Sequence, residues 1–171
     1  MKQFSLLGRI LVASIILATP VLAAPTVTPK GTAVANANVC SRVSNGVDSM
    51  TQRYTQTRET YNHRYTQMHQ TLTQLMARLN EKGYDTTALS EDLNKLEQYI
   101  EDFDGYHEQF MNMLQETKSY ACDEELSGQY RTKSEEARGM LRQMRETAQN
   151  TYQLIREEIR QDLLDLKEQT P

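Results

Sequence analysis

Tryptophan is absent, phenylalanine occurs three times, and proline is confined to Pro20, Pro25, Pro29 and Pro171. Each scarcity excludes something. Nothing between Lys30 and Thr170 locks φ or removes a backbone donor, so long uninterrupted helices are permitted there. Aromatic residues make up 7% and charged residues 25% of 171 positions, so the chain lacks the bulky side chains of a compact enzyme core. It must also solvate many charges, which a narrow rod does better than a sphere. Acidic residues outnumber basic ones 23 to 19, for a net charge of −4. Such a surface repels phosphate backbones and anionic lipid, which argues against nucleic acid as a partner.

Motifs that carry chemistry are missing as well. No Cys-x-x-Cys pair, Gly-rich phosphate loop, Gly-x-Ser-x-Gly elbow or Ser/His/Asp candidate occurs. His63, His69 and His107 are the only histidines. His63 and His69 are six apart, on different faces of one helix, and do not form the i, i+4 pair that grips zinc. In a helical hairpin His107 lies level with about residues 55 to 60, nearest to His63. The run Glu101-Asp102-Phe103-Asp104-Gly105 superficially resembles a calcium loop. Setting Gly105 at the loop's glycine puts Ile100 at the first ligand position and Met111 at the bidentate one, and neither can ligate. Glu97, Glu101, Asp104 and Glu108 follow helical spacing and read as a solvated face. No catalytic residue, cofactor or metal ligand is expected.

What is present begins with an export signal. Residues 1–23 carry Lys2 and Arg9, an apolar run from Ile10 to Ala18, the helix-breaking Pro20 and the small-residue pattern Val21-x-Ala23. The run is far shorter than the roughly 20 residues that span a bilayer, so cleavage is expected rather than an uncleaved anchor. Membrane contact is then transient, and the remaining chain has 17 basic against 23 acidic residues. No cysteine follows the site to take a lipid anchor. Residues 24–38, rich in Ala, Thr, Val and Pro, lack periodicity and read as a flexible tail.

Residues 39–171 read as an all-α, elongated, up-down-up antiparallel three-helix bundle, coiled-coil-like, with helices at about 39–81, 87–121 and 129–167. In the first helix Arg53-Tyr54-Thr55-Gln56 recurs as Arg64-Tyr65-Thr66-Gln67, eleven residues or three turns later. The inward candidates are Tyr54, Thr57, Tyr61, Tyr65, Met68, Leu72, Met76 and Leu79. Threonine is a poor helix former, so this Thr- and Gln-rich helix depends on its partners, and Asn45-Gly46 is a point where it frays or starts late. Gly83 suits a left-handed helix stop, and Asp85 or Thr86 can cap the next helix. That second helix places Leu89, Leu93, Leu96, Ile100, Phe103, Phe110 and Leu114 at heptad positions, with His107 in the one polar slot unless Tyr106 turns in instead. Gly105 permits a close approach or a kink. The third helix uses Tyr130, Ala137, Leu141, Met144, Ala148, Ile155, Ile159, Leu163 and Leu166. A hairpin that dimerises through the third segment is the rival architecture.

Cys40 and Cys122 are the only cysteines. An even count in an exported chain favours a disulfide. The two positions centre on residue 81, at the first turn, so folding there brings them level. Adjacent helices hold Cα atoms about 8–10 Å apart, slightly too far for the bond. Fraying helix ends are expected to close that gap. On the third helix Arg138, Arg142, Arg145, Arg156 and Arg160 share a broad face, and the register about the second turn sets Glu108 near Arg142 and Asp104 near Arg145. Interhelical ion pairs are the expected role of these arginines, an anionic partner the alternative. The nine Tyr and eight Met are expected to fill the core; any left exposed point to a client-binding groove.

Cys40-Ser-Arg42-Val43, Arg78-Leu79-x-x-Lys82-Gly83-Tyr84-Asp85, Thr117-Lys118-x-Tyr120-x-Cys122 and Glu136-Ala137-Arg138 stand in an order that resembles uncharacterised secreted helical proteins predicted from uncultivated bacterial lineages. The resemblance covers most of the chain after residue 23 and implies an exported helical protein with paired cysteines; no activity comes with it. The Thr/Gln-rich first helix departs from the pattern. Periplasmic helical chaperones of the Spy and CpxP type are similar in export and hairpin build, but their Leu-Thr-x-x-Gln signature is not met, since Met76 follows Leu72-Thr73 where Gln is required. The expected function is a non-enzymatic structural or protein-interaction module of the bacterial cell envelope, periplasmic or extracellular, that binds another protein or itself. The alternative is a chaperone-like or stress-related client binder of the periplasm.

Overall fold

The computed structural model describes residues 33–123 and 125–169. The expected signal peptide, residues 1–23, and the first part of the expected tail, residues 24–32, lie outside the described residues. Helix α1 runs Ala33–Asn80, α2 Thr87–Cys122 and α3 Tyr130–Gln153. A π-helical segment, Leu154–Ile159, continues α3 without a break into α4, Arg160–Glu168. A short 3-10 turn, Ser127–Gln129, leads into α3. Among the described residues there is no strand.

Antiparallel pairing is set by partners whose numbers rise on one helix as they fall on the next. Asp48 meets Lys118 and Arg58 meets Asp104 across α1 and α2. Glu116 meets Lys133 and Lys95 meets Glu158 across α2 and the third run. The bundle is therefore up-down-up, with the third run packed on its own chain's α2. At 36 residues, α2 is about 54 Å long.

The core is built on α2. Leu89, Leu93, Leu96, Phe103, Phe110 and Leu114 are buried as their spacing predicts, and Ile100 is half-buried. His107 does occupy the polar slot, 5% exposed, while Tyr106 stays half-buried. Tyr61 stacks on Phe103 with ring centroids 3.7 Å apart, and Tyr54 meets Phe110 edge-on at 4.9 Å. Such pairs add about 0.5–1.5 kcal/mol each beyond the area they bury.

Three expectations are corrected. First, α1 begins at Ala33, inside the expected tail, and passes Asn45-Gly46 unbroken. Alanines 33, 35 and 37 are strong helix formers, and buried Val47 with the Cys40 disulfide anchors the helix on both sides of the Asn-Gly pair. The threonines are accommodated because Thr57, Thr60, Thr71 and Thr73 donate their hydroxyls to carbonyls four residues back. Second, Gly105 serves neither a kink nor a close approach. It is exposed within a continuous α2, and a Cβ there would meet nothing within 4 Å. Third, Thr147, Thr151 and Leu154 are buried although none was expected. Inward positions step by three or four up to Leu154 and then by five to Ile159. A regular α-helix would have turned Glu157 or Glu158 inward instead. The π segment takes up the extra residue, and Glu158 points out to Lys95.

The first turn matches its reading. Gly83 has φ +84°. The Asp85 carboxylate accepts the Thr87 amide and hydroxyl at the start of α2, while the Thr86 hydroxyl donates to Asn80. At the opposite end Cys40 and Cys122 form a disulfide with their Cα atoms 4.6 Å apart. Cys122 is the last residue of α2, but Cys40 lies inside α1. Only one of the two helix ends therefore frees the chain to close the gap.

Candidate functional site

Every interhelical ion pair among the described residues uses α2: Asp48–Lys118, Arg58–Asp104, Lys95–Glu158 and Lys133–Glu116. Each is at least partly solvent-exposed, so it contributes about 0–1 kcal/mol and acts chiefly to hold register. The seam between α1 and the third run is different. Among the described residues no Cα of α1 comes within 8 Å of one in α3, the π segment or α4. These two parallel elements touch through long side chains only. The hydroxyls of Tyr61 and Thr151 are 2.6 Å apart, and Arg145 Nη2 donates to the Tyr54 hydroxyl at 3.5 Å.

Toward the disulfide end the seam opens into a groove of about 230 Å³. Leu114 and Thr117 of α2 form its floor, Val43, Val47 and Met50 one wall, and Ala137 part of the other. Val47, Leu114 and Ala137 are buried in the core below it, so the groove has a rigid apolar base. Gly46 also lines it, and a Cβ there would meet nothing within 4 Å. The Ser134 hydroxyl, on the α3 wall, is buried with no hydrogen-bond partner on the protein.

Its polar border is cationic. Arg42 lines the groove, and no lining residue is acidic. Arg53 stands three turns further along the same face of α1. Both are exposed and without an ion pair among the described residues. Across the seam, Arg138 lies one turn beyond Ser134, and Arg145 reaches back to Tyr54 with its Nε buried and unpartnered. Neither pairing set by the register, Glu108 with Arg142 or Asp104 with Arg145, forms among the described residues. Glu108 and Arg142 stand at matching levels without an ion pair among the described residues, and Asp104 turns to α1, where it accepts Arg58 Nε and Asn62 Nδ2, both at 2.7 Å. Burial opposes ionisation of Asp104, but those two donors hold its carboxyl below the usual range.

The remaining titratable groups stand apart from the groove. Burial first, then the neighbouring Arg58, pushes the His107 imidazole down, and its Nε2 is buried without a partner. His63 is exposed and His69 half-buried. Beside the π segment, burial and the facing Asp92 push the Asp162 carboxyl up, while Lys95 joins Asp92 to Glu158 at 2.8 Å each. No group of three or more His, Cys, Asp or Glu among the described residues is placed to hold a metal ion. No described helix is long and apolar enough to cross a membrane.

The inward positions read from the sequence begin at Tyr54 and miss the groove, although Val39, Val43, Val47 and Met50, spaced by four, four and three, mark its α1 wall. No protein-family model, curated protein or solved structure matches the chain.

Proposed function

We propose that this protein is an exported, non-enzymatic interaction module of the bacterial cell envelope, a disulfide-clamped rod that presents the α1–α3 groove to another protein. A disulfide forms and persists in oxidising compartments outside the cytoplasm. Residues 1–23 supply the reading of export to the periplasm or cell exterior. One observation carries the interaction reading: two helices ion-pair with α2 but leave their mutual seam open, apolar at its base and arginine-bordered at its rim.

A chaperone-like role draws on the methionines. Met50, Met68, Met76, Met111, Met113 and Met140 are only half-buried, and flexible thioethers suit changing partners. The exposed large apolar side chains among the described residues are Tyr152 and Leu164. Apolar surface concentrated in a narrow groove favours a defined partner over general client shielding.

A photo-crosslinking side chain at Met50, compared with one at exposed Glu97 on α2, tests this reading in the native cell. A discrete protein adduct from the Met50 position alone supports it. Identical adducts from both positions, or none from Met50, would reject it. Suppression of client aggregation by the purified protein would move the assignment to the chaperone-like role.

A further inference from the structure

The groove's border and floor together specify a partner chemistry, an inference that rests on the interaction reading above. We infer that the groove accepts an acidic amphipathic helix of a partner protein, its apolar side chains seated over Leu114 and its carboxylates against Arg42 and Arg53.

The dimensions suit a helix. From Val39 to Met50 the α1 wall runs for about 16 Å, or three turns. Apolar anchors at i, i+4, i+7 and i+11 of a docked helix span the same length. A cavity of about 230 Å³ holds one or two large side chains and falls below the roughly 300–1,000 Å³ of small-molecule pockets. A fourth helix lying between α1 and α3 would also complete a four-helix bundle.

Charge decides among the available occupants. The first 38 residues of this chain contain Lys2, Arg9 and Lys30 and no Asp or Glu, so its own N-terminal segment meets the arginine border with like charge. A second copy fares no better. Its exposed acids Glu97, Glu101, Asp102 and Glu108 sit on the outer side of α2, whose apolar side is already buried in the core. That surface offers carboxylates without apolar anchors, and the exposed Asp165 and Glu168 of α4 accompany a single one, Leu164. A partner helix with both fits the rim and the floor, and its acceptors can also reach the unpartnered Ser134 hydroxyl.

The test uses the oxidised protein and a labelled synthetic 15-residue helix carrying Leu at i, i+4, i+7 and i+11 and Glu at its flanks, with a matched peptide in which Lys replaces Glu. Fluorescence anisotropy should show the Glu peptide binding at least ten-fold tighter, with affinity falling as salt rises. Arg42→Glu with Arg53→Glu should weaken it at least ten-fold. Gly46→Leu, which fills the groove from a position with open space, should abolish binding while the melting temperature holds or rises. Equal affinity for both peptides, or unchanged binding by Gly46→Leu, would overturn the inference. So would binding to phosphatidylglycerol vesicles that the same substitutions remove, since that assigns the surface to lipid. If the peptide fails while the Met50 crosslink in cells yields a discrete protein adduct, the interaction reading stands and the acidic-helix chemistry falls.

Discussion

The hydroxyls of Tyr61 and Thr151, ninety positions apart in the chain, lie 2.6 Å from each other between α1 and α3. Thr151 is fully buried and directs its own hydrogen to the Thr147 carbonyl at 2.8 Å. Tyr61 is therefore the donor in the pair. Burial pushes its phenol well above the ordinary value, so it remains protonated. This bond is one of the few direct links across a seam whose backbones stand apart.

The two residues should respond unequally to substitution. Tyr61→Phe leaves the Thr151 hydroxyl its bond to Thr147 and should cost about 1 kcal/mol. Thr151→Val strands the Tyr61 hydroxyl with only the distant Tyr99 carbonyl, at 3.4 Å, and should cost about 2 kcal/mol. The double variant should cost less than the two together by about 1 kcal/mol, read from a urea double-mutant cycle. Strict additivity would mean the bond contributes nothing.

Removing the disulfide by Cys40→Ala with Cys122→Ala should lower stability by about 2–4 kcal/mol while helical content is retained. The chain-entropy maximum for a loop of 82 residues is about 4.5 kcal/mol. Circular dichroism melts should show a drop of roughly 5–15 °C for a chain of this size.

Acidification should weaken the fold through His107. Its folded-state pKa is depressed, so the folded chain binds this proton less readily than the unfolded one. The stability is fully present above the ordinary imidazole value of about 6.5 and is lost as pH falls from there toward the depressed value. Urea midpoints between pH 7.5 and 5 should show this decline, and His107→Leu should remove that part of the slope. An unchanged slope in the variant would assign the decline to other groups.

Deleting Glu157, exposed within the π segment, should be tolerated. The step from Leu154 to Ile159 then shortens from five to four, and both remain inward in a regular α-helix. Deleting exposed Glu101 from α2 turns every inward residue before it by about 100° relative to those after it, and should abolish cooperative melting.

Gly105→Ala should raise stability by about 1 kcal/mol, because the position is exposed, helical and open around the new methyl. A thermal melt raised by roughly 2–4 °C is expected.

Much of α2 was legible because its apolar spacing is regular and its facing helices read the same stripe. The register was legible too: the turn at Gly83 brings Cys40 level with Cys122, and the second turn sets Glu108 opposite Arg142. Partner choice was not. Asp104 lies at the level expected for Arg145 yet faces α1, because helical azimuth, which spacing along one helix leaves undefined across a bundle, selects Arg58 instead. Thr151 escaped because its hydroxyl finds partners within the fold, the Thr147 carbonyl and the Tyr61 hydroxyl, and only a partner makes a polar side chain a core residue.

The sequence by itself determined the helices, their turns and the level at which the cysteines meet, since propensity, periodicity and turn chemistry act between near neighbours in the chain. Tertiary structure alone decided that α1 and the third run stand apart, that a π turn brings Ile159 inward, and that an arginine-bordered groove opens above Leu114. Those features depend on how side-chain volumes from three helices sum around one axis, and no single helix carries that sum.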